Sequence, residues 1–70
     1  MARTVMTLNK NEPRTFGAFV WTFLEADLKN PGNQEAKFTV GGMYWVAKIG
    51  NEFLGVRVEK IEKNAVEVSY

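Results

Sequence analysis

The sequence predicts an α+β fold: a single helix packed on a four- to five-stranded antiparallel meander, in the order β-α-β-β-β-β. Three observations point there. Phe16, Phe19, Val20, Trp21, Phe23, Leu24 and Leu28 fall within thirteen positions, and nothing downstream is as dense. From Glu35 on, the apolar period changes from 3.6 to 2. Gly41-Gly42, Gly50-Asn51 and Glu62-Lys63-Asn64 then divide the alternating runs at spacings that suit hairpin turns. A curled version of the same order is a small open barrel.

The helix is expected over Thr15 to Asn30. At about 100° per residue its apolar positions spread over roughly 220°, where a surface helix needs an arc of only about 100°. Ala18, Thr22, Glu25 and Lys29 make its polar face. Thr15 is the candidate N-cap, with Pro13 just before it. Asn30-Pro31-Gly32 stops it through a lost donor, a ring clash and turn geometry. Asp27 near its C-terminal end opposes the helix dipole, so it is expected either to have a partner or to point out at the last turn. The surplus apolar edge around Gly17, Trp21 and Leu28 is available to a partner protein.

The flanking elements follow. Arg3 to Leu8 alternates as a short edge strand with Arg3 as gatekeeper. Asn9 to Arg14 is a polar loop, and Pro31-Gly32-Asn33 a turn. A hairpin at Gly41-Gly42 sets Val40 opposite Met43, Phe38 opposite Trp45 and Ala36 opposite Ala47. A second at Gly50-Asn51 sets Ala47 opposite Leu54 and Trp45 opposite Val56. The third sets Val58 opposite Val68 and Val56 opposite Tyr70. Together they place Phe38, Val40, Met43, Trp45, Ala47, Leu54, Val56, Val58, Val66, Val68 and Tyr70 on one face, under the helix.

Seventy residues make one domain, 1–70, and a chain this short buries only about 60% of its unfolded surface. It contains neither cysteine nor histidine, so a disulfide and a Cys/His zinc site are excluded. Nine basic against eight acidic residues leave a net charge of +1, no electrostatic footprint for free nucleic acid or an anionic membrane. No apolar run reaches the length of a membrane span or a signal core. The expected location is cytoplasmic.

The opposite face of the expected sheet carries the chemistry of interest. Its register sets Tyr44 across from Arg57 and Lys48 across from Phe53, with Lys37 alongside. An aromatic beside a cation is how some sheet modules stack and neutralise single-stranded nucleic acid. The same pattern also arises from ordinary cross-strand pairs on a solvated face. Arg3, Lys10 and Arg14 add a local basic bias near the N-terminus, balanced only by Glu12.

No enzyme is expected. Histidine, the commonest general base near neutral pH, is missing, as is a thiolate. Ser69 is the only serine and Asp27 the only aspartate. The glutamates show no metal-ligand or paired-carboxylate spacing, and Gly41-Gly42 is too short to cradle a phosphate. No catalytic residue, metal or cofactor is assigned, and a binding module remains.

The stretch Leu8-Asn9-Lys10-Asn11-Glu12-Pro13-Arg14-Thr15-Phe16-Gly17-Ala18-Phe19-Val20 resembles the small transcription regulators of lytic Xanthomonas phages, over about a fifth of the chain. The resemblance implies a bacteriophage protein acting in the host bacterial cytoplasm. It would bind host RNA polymerase, act as an inhibitor of sigma-dependent initiation, and promote antitermination, the read-through of terminators. The expectation is therefore transcription regulation by protein–protein interaction, from a monomer docking on a large host complex. Trp21, Tyr44, Phe53 and Arg57 are the candidate anchors, because aromatics and arginine dominate interface energy. Arg3, Lys10, Arg14, Lys37 and Lys48 are the candidate orienting charges. The alternative is a small nucleic-acid-binding module using the solvent face of the sheet. A third reading is a homodimer that buries the surplus helix surface.

Overall fold

The computed structural model describes residues 3–70 and contains strands and turns but no helix among them. The strands are β1 (Val5–Asn9), β2 (Arg14–Phe16), β3 (Phe19–Asp27), β4 (Glu35–Val40), β5 (Met43–Lys48), β6 (Glu52–Phe53), β7 (Val56–Ile61) and β8 (Ala65–Ser69). They form two antiparallel four-stranded sheets. The central sheet has the order β2-β3-β4-β5 and the terminal sheet β1-β8-β7-β6. Both contribute to one core, with Trp21, Phe23, Phe38 and Val40 from the central sheet meeting Leu8, Val58, Val66 and Val68 from the terminal one. The shortest dimension of the backbone is 17 Å, which suits two sheets about 10 Å apart.

The expected α+β fold is therefore corrected to all-β, and the reason lies in Thr15 to Asp27. Gly17, at φ +62°, opens a two-residue turn, and Phe16 faces Phe19 across it. Thr15 pairs with Val20 instead of capping a helix. Beyond the turn, Trp21 and Phe23 point into the core, while Val20 is exposed and Thr22 half-buried. A β-bulge between Phe23 and Glu25 then inserts an extra residue, after which Ala26 faces Ala36. Turn plus bulge spreads the apolar residues into spacings that imitate a helical arc. The composition favours the strand: Val, Thr, Phe and Trp are strand formers, and a glycine inside a helix costs about 1 kcal/mol. Asp27 has no helix dipole to oppose; its Oδ1 accepts the Lys29 amide hydrogen at 3.1 Å as the strand ends.

The Gly41-Gly42 hairpin forms in the expected register, with Val40 opposite Met43 and Ala36 opposite Ala47. The Arg3 to Leu8 strand forms as β1, at the edge of the terminal sheet. The last hairpin turns differently from the expected Glu62-Lys63-Asn64 loop: the Glu62 amide donates to the Ala65 carbonyl at 2.8 Å and Ile61 faces Val66, and a β-bulge between Val58 and Lys60 then restores Val58 opposite Val68. The expected Gly50-Asn51 hairpin does not form. The Asn51 amide donates to the Lys48 carbonyl at 3.0 Å, so Ile49 and Gly50 are the central residues, with Gly50 at φ +90°. That is the positive φ of a type II turn's third residue, a geometry that splays strands rather than pairing them. The chain leaves the central sheet there and enters the terminal one. A meander covered by a helix thus becomes two sheets covering each other. Of the residues expected on one buried face, Met43, Leu54 and Tyr70 are exposed.

Candidate protein-binding surface

At one end of the sandwich two hairpin turns meet the C-terminus. Gly17-Ala18 joins β2 to β3, and Leu54-Gly55 joins β6 to β7. Between them lies a crevice of about 140 Å³. Trp21 and Val56 form its buried floor; Phe16, Phe19, Leu54 and Tyr70 complete the walls, and none of the side chains that line it is charged. Phe19, Leu54 and Tyr70 are 36%, 51% and 41% exposed, so the apolar mouth is open to solvent. Two larger depressions have mixed linings that include charged side chains: one of 230 Å³ is lined by the ion pair of Glu25 and Lys37 with Ala26 and Leu28, and one of 170 Å³ by the Pro31–Gln34 loop, Lys48 and Ile49.

The walls are braced by stacked rings. Tyr70 lies on Phe16 with centroids 5.0 Å apart, and Phe16 on Trp21 at 5.1 Å. Trp21 continues edge-on to Trp45 at 5.9 Å, and Trp45 to Phe53 at 5.1 Å. Offset and edge-on pairs of this kind add to the energy of simple burial. A ladder of rings from the C-terminus to β6 therefore presents a preformed apolar floor.

Leu54 is the irregular member. It sits at φ +53°, followed by Gly55 at φ +80°. Two consecutive positive φ values define a type I′ turn, whose first central position favours Asn, Asp or Gly. A bulky side chain there is an outlier, costing roughly 1–2 kcal/mol. The turn thus holds a half-exposed leucine in a strained conformation at the mouth of an apolar crevice.

The sequence-predicted residues are dispersed over the molecule. Trp21 is 1% exposed and belongs to the core. Phe53 is half-buried and packs against that core. Tyr44 is 61% exposed on the outer face of the central sheet, opposite Thr39, not Arg57. Arg57 lies on the terminal sheet opposite Ser69 and Glu52, its Nε donating to Glu59 at 2.9 Å. Lys48 faces Glu35. The aromatic–cation pairs expected for nucleic acid are therefore not assembled, because they required β5 to pair with β6 and β7. Lys37 is committed to Glu25 at 2.8 Å. Arg14 lies 3.8 Å from Glu12. Lys10 bridges β1 to Phe23 of the central sheet through its backbone.

Arg3 ties the two ends of the chain together. Its Nε donates to Ser69 Oγ at 2.8 Å, one Nη donates to the Gly55 and Ser69 carbonyls, and the other lies 3.4 Å from Glu52. The Ser69 hydroxyl donates to Glu59. That hydrogen bond, and then Arg57, hold the Glu59 carboxyl below its ordinary range. Lys37 does the same to Glu25. Reciprocally, Lys37 and Arg57 are held above theirs by their carboxylate partners. These charges stabilise one another.

Phe19, Leu54 and Tyr70 were not among the sequence candidates. The Phe53-Leu54-Gly55-Val56 stretch reads as continuous strand unless the Leu-Gly pair is recognised as a turn, an unusual choice of residues for one. No family model, no curated protein and no solved structure matches this chain.

Proposed function

We propose that this chain is a non-enzymatic regulator that docks on a large host protein complex, with bacterial RNA polymerase the favoured target. The observation that carries the reading is Leu54: a large apolar side chain, half exposed, in a backbone conformation that disfavours it. Strain of this kind persists where a binding surface requires it. Asparagine at the same position would relieve the backbone and raise solubility, so a leucine there makes sense as a contact. Phe19 and Tyr70 flank it, and the uncharged crevice behind them accepts an apolar side chain of a partner. The choice of polymerase rests on the resemblance of the stretch from Leu8 to Val20 to the phage regulators.

The test is binding of the purified chain to purified bacterial RNA polymerase, followed by run-off and terminator read-through assays. The expected result is saturable binding, less sigma-dependent run-off and more read-through, with all three weakened at least tenfold by Leu54→Asn. Transcription unchanged at saturating protein would remove polymerase as the target.

The nucleic-acid reading has less support. It calls on Tyr44, Phe53 and Arg57 as one face, but Tyr44 lies exposed on the other sheet, Phe53 is half-buried against the core, and Arg57, like Lys37, is engaged by a glutamate.

A further inference from the structure

We propose that β5 is a self-pairing edge, through which a second copy of this chain adds to the central sheet by two-fold antiparallel pairing. The inference is independent of the docking role of Leu54, which lies on the β6–β7 turn.

The hydrogen-bonding direction along β5 follows from its hairpin. Val40 and Met43 flank a two-residue loop and so exchange hydrogen bonds. Alternation then turns Met43, Trp45 and Ala47 toward β4, and turns the N–H and C=O of Tyr44, Val46 and Lys48 outward. The Gly41 amide, donating to the Val20 carbonyl at 3.0 Å, shows the matching alternation on β4. Lys48 confirms the outward direction. Its amide donates to Asn51 Oδ1 at 3.0 Å, and its carbonyl accepts from the Asn51 amide at 3.0 Å. Asn51 thus caps one end of the edge, and the Gly41-Gly42 turn closes the other. Between them, β5 is the last strand of its sheet, and the outward groups of Tyr44 and Val46 have no partner among the described residues.

That pattern fits itself. A two-fold axis through Trp45 sets Tyr44 opposite Val46 of the second copy, and Val46 opposite its Tyr44. Every free donor and acceptor is then used, in four hydrogen bonds. Sliding by one pair in either direction sets a free residue against the capped Lys48 or against Gly42 of the turn. In the matched register Lys48 falls opposite Gly42, so no like charges face each other across the seam. The outer side of the seam pairs Tyr44 with Val46, an aromatic with a β-branched residue, and both are already exposed at 61% and 40%. Met43, 52% exposed, flanks the inner side. A row of unpaired backbone groups beside apolar side chains is a template for strand addition; the two caps fix the length of the ladder, and two-fold pairing uses the β5 edge of both copies, so addition through it stops at two. The short seam makes a reversible dimer rather than an obligate one.

Sedimentation velocity over a concentration series tests this with the intact 70-residue chain. The wild type is expected to move from a monomer of 7.9 kDa toward twice that mass as concentration rises. Val46→Pro removes an outward donor that no intramolecular bond uses, as edge strands tolerate. Tyr44→Glu places a carboxylate in the seam. Each should weaken association at least tenfold, with circular dichroism unchanged. Two variants are needed because one proline could perturb the strand. A wild type that stays monomeric throughout, a dimer indifferent to both changes, or open-ended assembly would overturn the proposal. So would a monomer whose edge takes up only unrelated extended peptides.

Discussion

Arg3 and Ser69, sixty-six positions apart, are joined by a 2.8 Å hydrogen bond from the guanidinium Nε to the serine hydroxyl. Ser69 is the buried polar side chain of the described core, at 1% exposure, and its hydroxyl is satisfied on both sides, by Arg3 and by Glu59. The N-terminal strand is thus fastened to the C-terminal one by side chains as well as by the β1–β8 ladder. Ser69→Ala should cost about 1 kcal/mol, the net worth of a typical hydrogen bond. Arg3→Met should release β1 more than any other strand. Amide exchange would report this as faster exchange at Met6 and Leu8 and little change in β4.

Acid should weaken the fold through two carboxylates. Glu59 and Glu25 are held below their ordinary value of 4.5 in the folded state. A lowered folded pKa contributes stability that is present above the unfolded value and is lost as pH falls through the folded one. Urea midpoints should therefore be flat from pH 7 to about pH 5 and drop below the ordinary carboxylate value. Glu59→Gln should remove part of that drop and leave the part due to Glu25. Lys37 and Arg57, held above their ordinary values, add nothing to this window, because their contribution is lost only at strongly alkaline pH.

Leu54→Asn should stabilise the chain by about 1 kcal/mol, since asparagine tolerates the left-handed conformation that leucine resists. The same change is expected to weaken docking at least tenfold. A rise in urea midpoint with loss of partner binding would separate contact from fold. A fall in midpoint would mean that the leucine side chain packs more than its 51% exposure indicates.

Gly41 and Gly42 both sit at positive φ but should respond differently to alanine. A Cβ on Gly41 would lie 2.7 Å from Cδ1 of Phe19, whereas one on Gly42 would meet nothing within 4 Å. Gly42→Ala should cost about 1 kcal/mol from backbone conformation alone. Gly41→Ala should cost more and displace the Phe19 ring. Thermal melts of the two variants, with Phe19 ring shifts by NMR, distinguish these effects.

Trp21→Ala should cost about 3–5 kcal/mol, the range for emptying a buried aromatic site, which is most of the stability of a domain this small. Tyr44→Ala, on the outer face, should stay within about 0.5 kcal/mol. If the two variants unfolded at the same urea concentration, Trp21 would not be the core residue that its contacts with Phe16, Phe38, Trp45 and Phe53 make it.

Local patterns carried part of the second half of the chain. Alternation from Ala36 to Val40 and from Met43 to Ala47, with two glycines between, sets the β4–β5 register without reference to anything distant. The β7–β8 pair does not follow from its turn in this way: Ile61 faces Val66 beside the turn, and Val58 meets Val68 only through the bulge between Val58 and Lys60. In the β4–β5 hairpin, turn residue and side-chain parity demand the same pairing, so the sequence by itself determines the register. It also determines the near balance of charge and the lack of cysteine and histidine.

Tertiary structure decided the rest. The Phe16 to Leu28 stretch is apolar at spacings compatible with a helix, and only the other sheet, packing against Trp21 and Phe23, selects the bulged strand. Whether Gly50 closes a hairpin or hands the chain to a second sheet depends on which surface waits for Phe53 and Val56, a matter no short window records. The candidate site follows the same rule. Phe16, Leu54 and Tyr70 are far apart in sequence, and they form one crevice because the two sheets close over a shared aromatic core. Hydrophobic burial is non-directional, so a dense apolar run fixes that a segment is covered, while its partners fix the shape in which it is covered.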